Sequence, residues 1–402
     1  MSVRHSIKRE SNVLGIAGTT VVHAAGHGTA ALWDAVANGH TGLQRNDLAW
    51  CDLTCWVGVV PSVDDVVLPA LLRHWECRIH RLAWLALQDV DFRRAVNAAI
   101  ARHGAHRIGL VLGTSTSGIR STEIAYAQRR ETSRWPADFD YRRTHSADAL
   151  SRFSAEVLGL QGPMVVITTA CSSSAKVFLT AQRWINAGVI DAAVVGGADS
   201  LCLSTLHGFD ALQLLSADIC RPFDVARNGI SIGEAAGFVL LHRAPAPVRL
   251  LGGGESSDAW HMSTPHPAGL GAQDAMRMAL TAAGLAVSDI GYVNAHGTGT
   301  PANDRAEAAA LTALFGEYGV PVSSTKGVTG HALGAAGIVE AIVTVLALER
   351  QALPVSANIG TPDPSLALDL VTQPRVVALR HAMSNNFGFG GSNCTLIFGR
   401  WD

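Results

Sequence analysis

Four turns rich in glycine and other small residues carry the side chains that could do covalent chemistry. The first contains Cys171, the second His296, the third Lys326 and His331, and the last is the run 386–393, Asn-Phe-Gly-Phe-Gly-Gly-Ser-Asn. Each turn follows an apolar run that predicts a buried strand. Such strand ends line the clefts of α/β proteins, so these positions favour a role in chemistry.

Cys171 lies between a predicted strand at 165–169 and a predicted helix at 174–187. A helix N-terminus carries partial positive charge and unpaired N–H groups, which lower the pKa of a thiol. The thiolate is the nucleophilic form, so this position favours covalent catalysis. The alternative is that a crowded turn needs a small apolar residue, and the motif alone leaves both interpretations open.

His296 ends a predicted strand and is framed by glycines and threonines. A lone histidine is more often structural than catalytic, but the end of a strand favours a cleft position. The next turn bears Lys326 and His331 and lacks the order Gly-x4-Gly-Lys-Ser/Thr, which excludes a Walker A phosphate loop. In the last turn, glycines beside Phe387 and Phe389 indicate a backbone that approaches a ligand closely.

The composition excludes several classes of protein. Of the 402 residues, 48% are hydrophobic and 16% are charged, which excludes disorder and predicts a large core. The formal charge of −2 gives no electrostatic basis for binding nucleic acid or an anionic membrane. The 7 cysteines are odd in number and lack a Cys-x-x-Cys pair, which argues against disulfides and favours a reducing cytoplasm. Cys51 and Cys55 could be half of a zinc site, but no second pair has suitable spacing.

Two segments could be mistaken for membrane or export signals. Arg4, Lys8 and Arg9 precede the apolar run 13–22, as in a signal peptide, although a buried first strand explains the run equally well. The apolar run 338–348 carries a glutamate and is far shorter than the ~20 residues that a membrane span needs. We therefore expect no membrane span.

Strands alternate with helices along most of the chain, which predicts an α/β fold with a mostly parallel sheet and helices on its faces. Helices are predicted at 174–187, 272–283, 304–314 and 338–350. Strands are predicted at 108–112, 165–169, 192–195, 237–241, 248–251, 292–295, 320–323, 376–384 and 395–398. The proline-rich turn 244–247 is the predicted boundary between two halves, 1–247 and 248–402. The arginine-rich segment 129–143 is interpreted first as a solvated loop and second as a docking patch.

The order Cys171, His296, Lys326, His331 and then Asn-Phe-Gly-Phe-Gly-Gly closely resembles the β-ketoacyl-acyl carrier protein synthases of the I/II type. The resemblance covers about 108–398. It implies the thiolase fold, with two similar halves in αβαβα layers. It also implies a decarboxylative Claisen condensation with malonyl carrier protein that lengthens an acyl chain by two carbons. The phosphopantetheine arrives on the carrier protein, so the resemblance implies no metal and no cofactor of the enzyme's own.

The resemblance also assigns roles to residues. It implies that Cys171 accepts the acyl group and that His296 and His331 bind and decarboxylate the malonyl thioester. Lys326 would hold the local hydrogen-bond network, with Glu340 as its supporting carboxylate.

Four further residues take roles around the thioester. The backbone N–H groups of Cys171 and Phe389 would form the oxyanion hole. Phe387 and Phe389 would lie in a gating loop, and Thr298 and Thr300 would hydrogen-bond the phosphopantetheine arm.

The sequence departs from the family at three places. Asn228 stands where the family usually has Asp, and Ala235 stands where Gly is common. Ala302-Asn303 precedes Asp304, where the family usually has Gly-Asp. These departures put in doubt which substrate the protein uses, and not which reaction it catalyses.

Other functions fit these residues less well. Thiolases use a second cysteine and the third synthase type uses Cys-His-Asn, whereas a cysteine hydrolase leaves Lys326 and one histidine without a role. A different class is the non-catalytic chain-length-factor-like subunit, which typically lacks the nucleophile that Cys171 supplies here.

The resemblance leaves the substrate and the partner less defined. The segment 77–87 resembles synthases of aryl polyene clusters, and ordinary fatty acid elongation stays equally open. We expect a homodimer, or a heterodimer with a chain-length-factor-like synthase, and a carrier protein that docks on Arg73, Arg129, Arg130 and Arg134.

Overall fold

The computed structural model describes residues 13–401. The basic stretch with Arg4, Lys8 and Arg9, on which the signal-peptide interpretation depended, lies outside the described residues. None of the helices in the described range combines the length and the apolar composition that crossing a membrane requires.

The helices of the described range are numbered in chain order. They are α1 (Gly28–Asn38), α2 (Arg78–Leu87), α3 (Val90–His103), α4 (Ile119–Thr132), α5 (Tyr141–Thr144), α6 (Ala149–Leu158), α7 (Ser173–Asn186), α8 (Leu203–Ala211), α9 (Leu270–Ala283), α10 (Pro301–Phe315), α11 (Lys326–Thr329) and α12 (Ala336–Arg350). Short 3₁₀ helices span Ala70–Trp75, Ala105–Arg107, Val287–Asp289, Leu333–Ala335, Pro364–Leu366 and Phe389–Gly391.

The strands are numbered in the same way. They are β1 (Leu14–His23), β2 (Gly26–His27), β3 (Gln44–Arg45), β4 (Trp56–Gly58), β5 (Ile108–Gly113), β6 (Met164–Ile167), β7 (Ala192–Asp199), β8 (Ile232–Gly233), β9 (Ala235–His242), β10 (Val248–Ser257), β11 (Tyr292–Asn294), β12 (Pro321–Ser323), β13 (Ala352–Leu353), β14 (Asp369–Leu370), β15 (Arg375–Val376), β16 (His381–Gly388) and β17 (Ser392–Arg400).

A 12-stranded sheet in the order β14-β12-β11-β16-β17-β10-β1-β9-β7-β5-β6 contains most of these strands, with β2 added on β1. The two ends repeat one pattern. At one end, the parallel strands β6, β5 and β7 are followed by the antiparallel strands β9 and β1. At the other end, the parallel strands β12, β11 and β16 are followed by the antiparallel strands β17 and β10. The halves meet where β1 pairs with β10 in antiparallel fashion. The prediction of a mostly parallel sheet is therefore wrong: the sheet is mixed, parallel towards its two ends and antiparallel in the middle, because the two halves join through antiparallel strands.

Helices form layers inside and outside the two halves of the sheet. Helices α7 and α12 lie in the middle, where α7 contacts β5 and β7 on one side and β17 on the other. Helices α2, α3 and α6 cover the first half, and α9, backed by α10, covers the second. This is the expected αβαβα thiolase fold with two similar halves.

The middle layer is almost entirely apolar. Helix α12 is buried along Ala336–Leu348, as expected of a helix that has apolar residues on all its faces. Its Gly337 packs directly on α7, because a Cβ at this position would lie 2.5 Å from the backbone nitrogen of Ala175. The apolar run 338–348 is thus the centre of the core.

Helices near the four turns are confirmed within a few residues, but the segment 129–143 differs from its first interpretation. The segment 129–143 is not a plain loop, because α4 extends to Thr132 and α5 occupies Tyr141–Thr144. The exposed ring of Trp135 packs under Arg129, whose guanidinium carbon lies 4.4 Å from its ring centroid. The division into 1–247 and 248–402 stays a prediction, since one continuous sheet contains strands of both parts.

Candidate active site

Cys171 lies in the tight turn between β6 and α7. Ala170 adopts a left-handed conformation with φ of 52°, which turns the chain sharply before the cysteine. The hydroxyl of Ser172 donates to the carbonyl of Thr169 at 2.9 Å, and that of Ser173 to the carbonyl of Ala170 at 2.6 Å. These bonds fix the turn, and Cys171 is left 5% exposed at the base of a cavity.

His331 is the imidazole nearest to the thiol. Its Nε2 lies 3.0 Å from Cys171 Sγ, and its Nδ1 accepts the backbone N–H of Leu333 at 3.2 Å. A ring nitrogen that accepts a hydrogen bond carries no proton, so the proton of the neutral ring lies on Nε2. His331 therefore presents an N–H donor to the cavity.

His296 is held in the same tautomer by a different donor. The Lys326 ammonium lies 3.3 Å from His296 Nδ1 and also donates to the backbone carbonyl of His296. Because an ammonium group can only donate, Nδ1 is the acceptor and Nε2 carries the ring proton. The two imidazole rings lie with centroids 5.3 Å apart and nearly perpendicular.

Lys326 and Glu340 form a buried ion pair beneath the histidines. The ammonium of Lys326 donates to one oxygen of Glu340, and the amide of Asn386 donates to the other. Both charged side chains are almost fully buried. The structure thus brings Glu340 to Lys326, and it adds Asn386, which the sequence placed only within the last glycine-rich turn.

Glu307 is a site residue that was not predicted from the sequence. Its carboxylate, on α10, accepts the backbone N–H of His296 at 2.8 Å and that of Gly297 at 2.7 Å. Burial raises the pKa of Glu307 to about 7. The signal in the sequence was an acid three residues after Asp304 in an alanine-rich stretch, which by itself does not reveal what it binds.

Cys171, His296 and His331 bring their potential ligand atoms within 4.8 Å of one another. These residue types could hold a transition metal, but a metal needs an unprotonated ring nitrogen. Here Leu333 N–H and the Lys326 ammonium occupy both Nδ1 atoms, which leaves the protonated Nε2 atoms facing the cavity. The donor set therefore fits an anion better than a cation.

The ionisation of the thiol is opposite to the expectation from the sequence. Burial raises the pKa of Cys171 to about 11, although the Lys326 charge and the backbone N–H of Phe389 favour the thiolate. Burial and then the charge of Lys326 hold the pKa of His331 well below its ordinary value, and the same causes act on His296. Desolvation of a closed site outweighs the helix N-terminus, so the resting site is neutral at sulfur and at both rings.

The cavity above Cys171 contains the other predicted site residues. The backbone N–H of Phe389 faces Cys171 Sγ, next to the place where the oxyanion of an acyl-transfer intermediate would form. The ring of Phe387 lies against His296, with centroids 5.9 Å apart. Thr298 and Thr300 line the cavity and hydrogen-bond each other at 2.9 Å.

Further wall residues were missed from the sequence. Phe209, at the end of α8, packs on Phe389 with ring centroids 5.4 Å apart. Leu212, Leu214 and Ile230 extend this apolar wall. These residues could not be recognised from the sequence, because residues of the ordinary hydrophobic core are apolar in the same way.

Only some departures from the family pattern lie at the cavity. Ala302 and Asn303, at the start of α10, line it. Asn228 is bonded to Ser216 and lies 3.4 Å from Asp218, and Ala235 is buried in β9. Among these departures, Ala302 and Asn303 are therefore the ones placed to affect a substrate directly.

Comparisons with known families agree with this geometry. Residues 79–246 match the beta-ketoacyl synthase N-terminal domain, and residues 249–360 match the beta-ketoacyl synthase C-terminal domain. Nodulation protein E of Rhizobium meliloti is 36% identical over 333 residues, covering 80% of this chain and 82% of that protein. The 3-oxoacyl-[acyl-carrier-protein] synthase 2 of Vibrio cholerae is 36% identical over 321 residues, covering 75% of this chain and 78% of that protein.

Solved structures of similar fold include two that contain a ketosynthase and a chain length factor. A chain of the structure of the ketosynthase ApeO in complex with its chain length factor ApeC, from Xenorhabdus doucetiae, has a TM-score of 0.88 and 39% identity. It covers 96% of this chain and is itself covered to 98%. The ishigamide ketosynthase/chain length factor has a TM-score of 0.88 and 26% identity, covering 97% of this chain and 99% of that one.

Proposed function

The chain belongs to the β-ketoacyl synthase family, and from this premise we propose how its residues divide the reaction among them. The protein is a β-ketoacyl-acyl carrier protein synthase, an acyltransferase that condenses an acyl group with malonyl carrier protein. The non-catalytic alternative is not favoured, because Cys171 is present together with His296 and His331.

The first step is transfer of the acyl chain to Cys171. Its sulfur attacks the thioester carbonyl of the acyl carrier protein, and the S–C bond to the carrier breaks. The thiol proton leaves with the carrier's sulfur, which becomes a free thiol. The N–H groups of Cys171 and Phe389 stabilise the oxyanion, and one such donor contributes on the order of 3 kcal/mol.

The second step is decarboxylation of malonyl carrier protein. The C–C bond to the carboxylate breaks, carbon dioxide leaves, and the electron pair moves onto the thioester as an enolate. The Nε2–H groups of His296 and His331 donate to the enolate oxygen. Two neutral donors in a dry site stabilise this charge without having to release a proton.

The third step joins the two chains. The enolate carbon attacks the acyl-Cys171 thioester and the S–C bond to the enzyme breaks. The product is two carbons longer and stays on the carrier, and Cys171 takes up one proton to become a thiol again. Lys326, held by Glu340 and Asn386, keeps His296 in the donating tautomer throughout.

This division of roles depends mainly on one feature of the site. The sulfur of Cys171 and the inward nitrogens of two histidines converge, and both histidines have an acceptor-type Nδ1 that fixes a proton on Nε2. A cysteine hydrolase would leave Lys326 and one of the two histidines without a role. Two N–H donors facing the cavity also support a reaction that needs no metal or redox cofactor of the enzyme's own, with phosphopantetheine supplied by the carrier.

We further propose that the enzyme works as a dimer, either with its own copy or with a chain-length-factor-like synthase. Strand β6 ends the sheet and bears Met164, which is 41% exposed, beside the half-buried apolar residues 165–167. An apolar edge strand without charges invites pairing with another chain. The ketosynthase ApeO, which resembles this chain, was solved with such a partner.

We propose that the carrier protein docks on four exposed arginines. Arg73, Arg129, Arg130 and Arg134 are exposed and offer positive charge to an acidic carrier.

The seven cysteines are all free, which supports the proposed cytoplasmic location, where thiols stay reduced. Both fatty acyl and aryl polyene chains are compatible with this reaction.

Reconstitution tests the proposed division of roles. Acyl carrier proteins loaded with saturated or aryl-primed chains are mixed with malonyl carrier protein and enzyme, and product mass is followed. We expect a carrier-bound product extended by two carbons, with wild type active and Cys171→Ala inactive. Carbon dioxide release by wild type without chain extension from any primer would contradict the third step.

A further inference from the structure

Lys176 links the nucleophile helix to the loop that bears the second oxyanion-hole donor. It lies on α7, which begins just after Cys171, and its ammonium donates to Ser392 Oγ at 2.8 Å. The side chain is 14% exposed, and its nitrogen also lies 3.7 Å from Glu255. This bond therefore joins the first half of the fold to the second.

Ser392 follows the turn Phe389–Gly391, whose conformation determines where the Phe389 N–H points. Gly390 and Gly391 both have positive φ, 79° and 74°, so the turn has unusual backbone freedom. Gly390 N–H donates to the carbonyl of Met262 at 2.8 Å, which holds the turn from the outer loop. Lys176 holds its other end from the side of the nucleophile.

The oxyanion hole is divided between these two elements. One donor is the N–H of Cys171, at the start of α7, and the other is the N–H of Phe389, in the turn. Oxyanion donors work when they are held within about 0.5 Å of their productive position. A charge-assisted hydrogen bond with little exposure is stronger and more specific than a surface contact.

We propose that Lys176 is a positioning residue that keeps the Phe389 N–H aligned with the Cys171 N–H during acyl transfer. The inference rests on the proposed roles of Cys171 and Phe389. The carboxylate of Glu255, 3.7 Å from the ammonium nitrogen, is the second group that holds this ammonium in place. Lys176 acts through the turn and does not itself touch the reacting atoms.

The test compares Lys176→Met with Arg183→Met, because Arg183 pairs with the same Glu255 but is 63% exposed and has no bond to Ser392. Acyl transfer from a loaded carrier is measured as kcat and KM by intact mass. We expect Lys176→Met to lower kcat about tenfold, less than the loss of a whole oxyanion donor, with KM within twofold. Lys176→Arg, which can still donate to Ser392, should recover most of the rate, and Arg183→Met should match wild type.

Decarboxylation of malonyl carrier protein separates positioning from general disorder, since its enolate is proposed to be stabilised by His296 and His331 and not by the Phe389 N–H. We expect Lys176→Met to release carbon dioxide from malonyl carrier protein within twofold of the wild-type rate. Ser392→Ala, which removes the acceptor and leaves the lysine, should reproduce the loss in kcat. It also keeps the test usable if Lys176→Met does not fold.

Two results would overturn this inference. One is an unchanged kcat in folded Lys176→Met or Ser392→Ala, and the other is carbon dioxide release from malonyl carrier protein that falls in parallel with acyl transfer. Failure of the proposed function looks different, because wild type itself would then take up no acyl group.

Discussion

His331 turns its Nε2 towards Cys171, with 3.0 Å between that nitrogen and Sγ, while its Nδ1 is occupied by a backbone N–H. A histidine beside a cysteine suggests a general base, but this ring is arranged to donate. The same holds for His296 through Lys326. The site is thus built of neutral donors around a buried thiol.

Alkylation of Cys171 should accelerate with pH over an unusually wide range. Burial raises the thiol pKa to about 11, so the thiolate fraction rises about tenfold per pH unit through the neutral and mildly alkaline range. The measurement is the iodoacetamide rate at Cys171 by mass spectrometry from about pH 6.5 to about pH 9.5. A plateau well below the ordinary thiol pKa of about 8.5 would show a thiol with a lowered pKa and contradict this account.

His331→Ala should separate the two chemical steps. The substitution removes one donor to the enolate, which costs about 10²- to 10³-fold in decarboxylation of malonyl carrier protein. Acylation of Cys171 should persist within about tenfold, because its oxyanion is stabilised by backbone N–H groups. Carbon dioxide release and intact mass are measured on the same samples, with exposed His207→Ala as the control. Equal losses in both steps would contradict the division of roles.

Glu340→Ala should destabilise the fold strongly. It leaves the Lys326 ammonium buried without its carboxylate, and breaking such a pair typically costs about 3–5 kcal/mol in free energy of unfolding. The double variant Lys326→Met with Glu340→Leu should lose less stability, although it should be inactive. Urea unfolding of the three proteins checks this, and a double variant less stable than Glu340→Ala would count against it.

Gly337→Ala should weaken the contact between the two central helices. The added Cβ would lie 2.5 Å from the backbone nitrogen of Ala175, and overpacking of this kind costs about 1–3 kcal/mol. Gly208→Ala is the control, because its Cβ meets nothing within 4 Å in α8 and alanine favours helix. Equal midpoints of thermal unfolding for both variants would show that the helices can separate at no cost.

Much of the site was predictable because its residues sit in strand-to-helix turns. Cys171, His296 and Lys326 with His331 each follow an apolar run, and parallel strands bring such ends together. Periodicity alone could not predict that β1 joins β10 and makes the middle of the sheet antiparallel, because strand pairing depends on contacts between distant segments.

The electrostatics of the site could not be predicted in the same way. The helix N-terminus beside Cys171 is visible in the sequence, but the burial that raises its pKa is a property of the closed cavity. The tautomers of the histidines depend on Leu333 N–H and on Lys326, and Glu307 acts on His296 through the backbone. Residue types do not reveal such bonds, since they depend on orientation.

The proposed reaction depends on Cys171 carrying the acyl chain. The most direct measurement is the intact mass of the enzyme after incubation with a panel of acyl carrier proteins, comparing wild type with Cys171→Ala. We expect a mass gain equal to one acyl group on wild type and none on the variant, with the preferred primer giving the fastest gain. A mass gain that persists in Cys171→Ala, or none on wild type with or without a partner synthase, would contradict it.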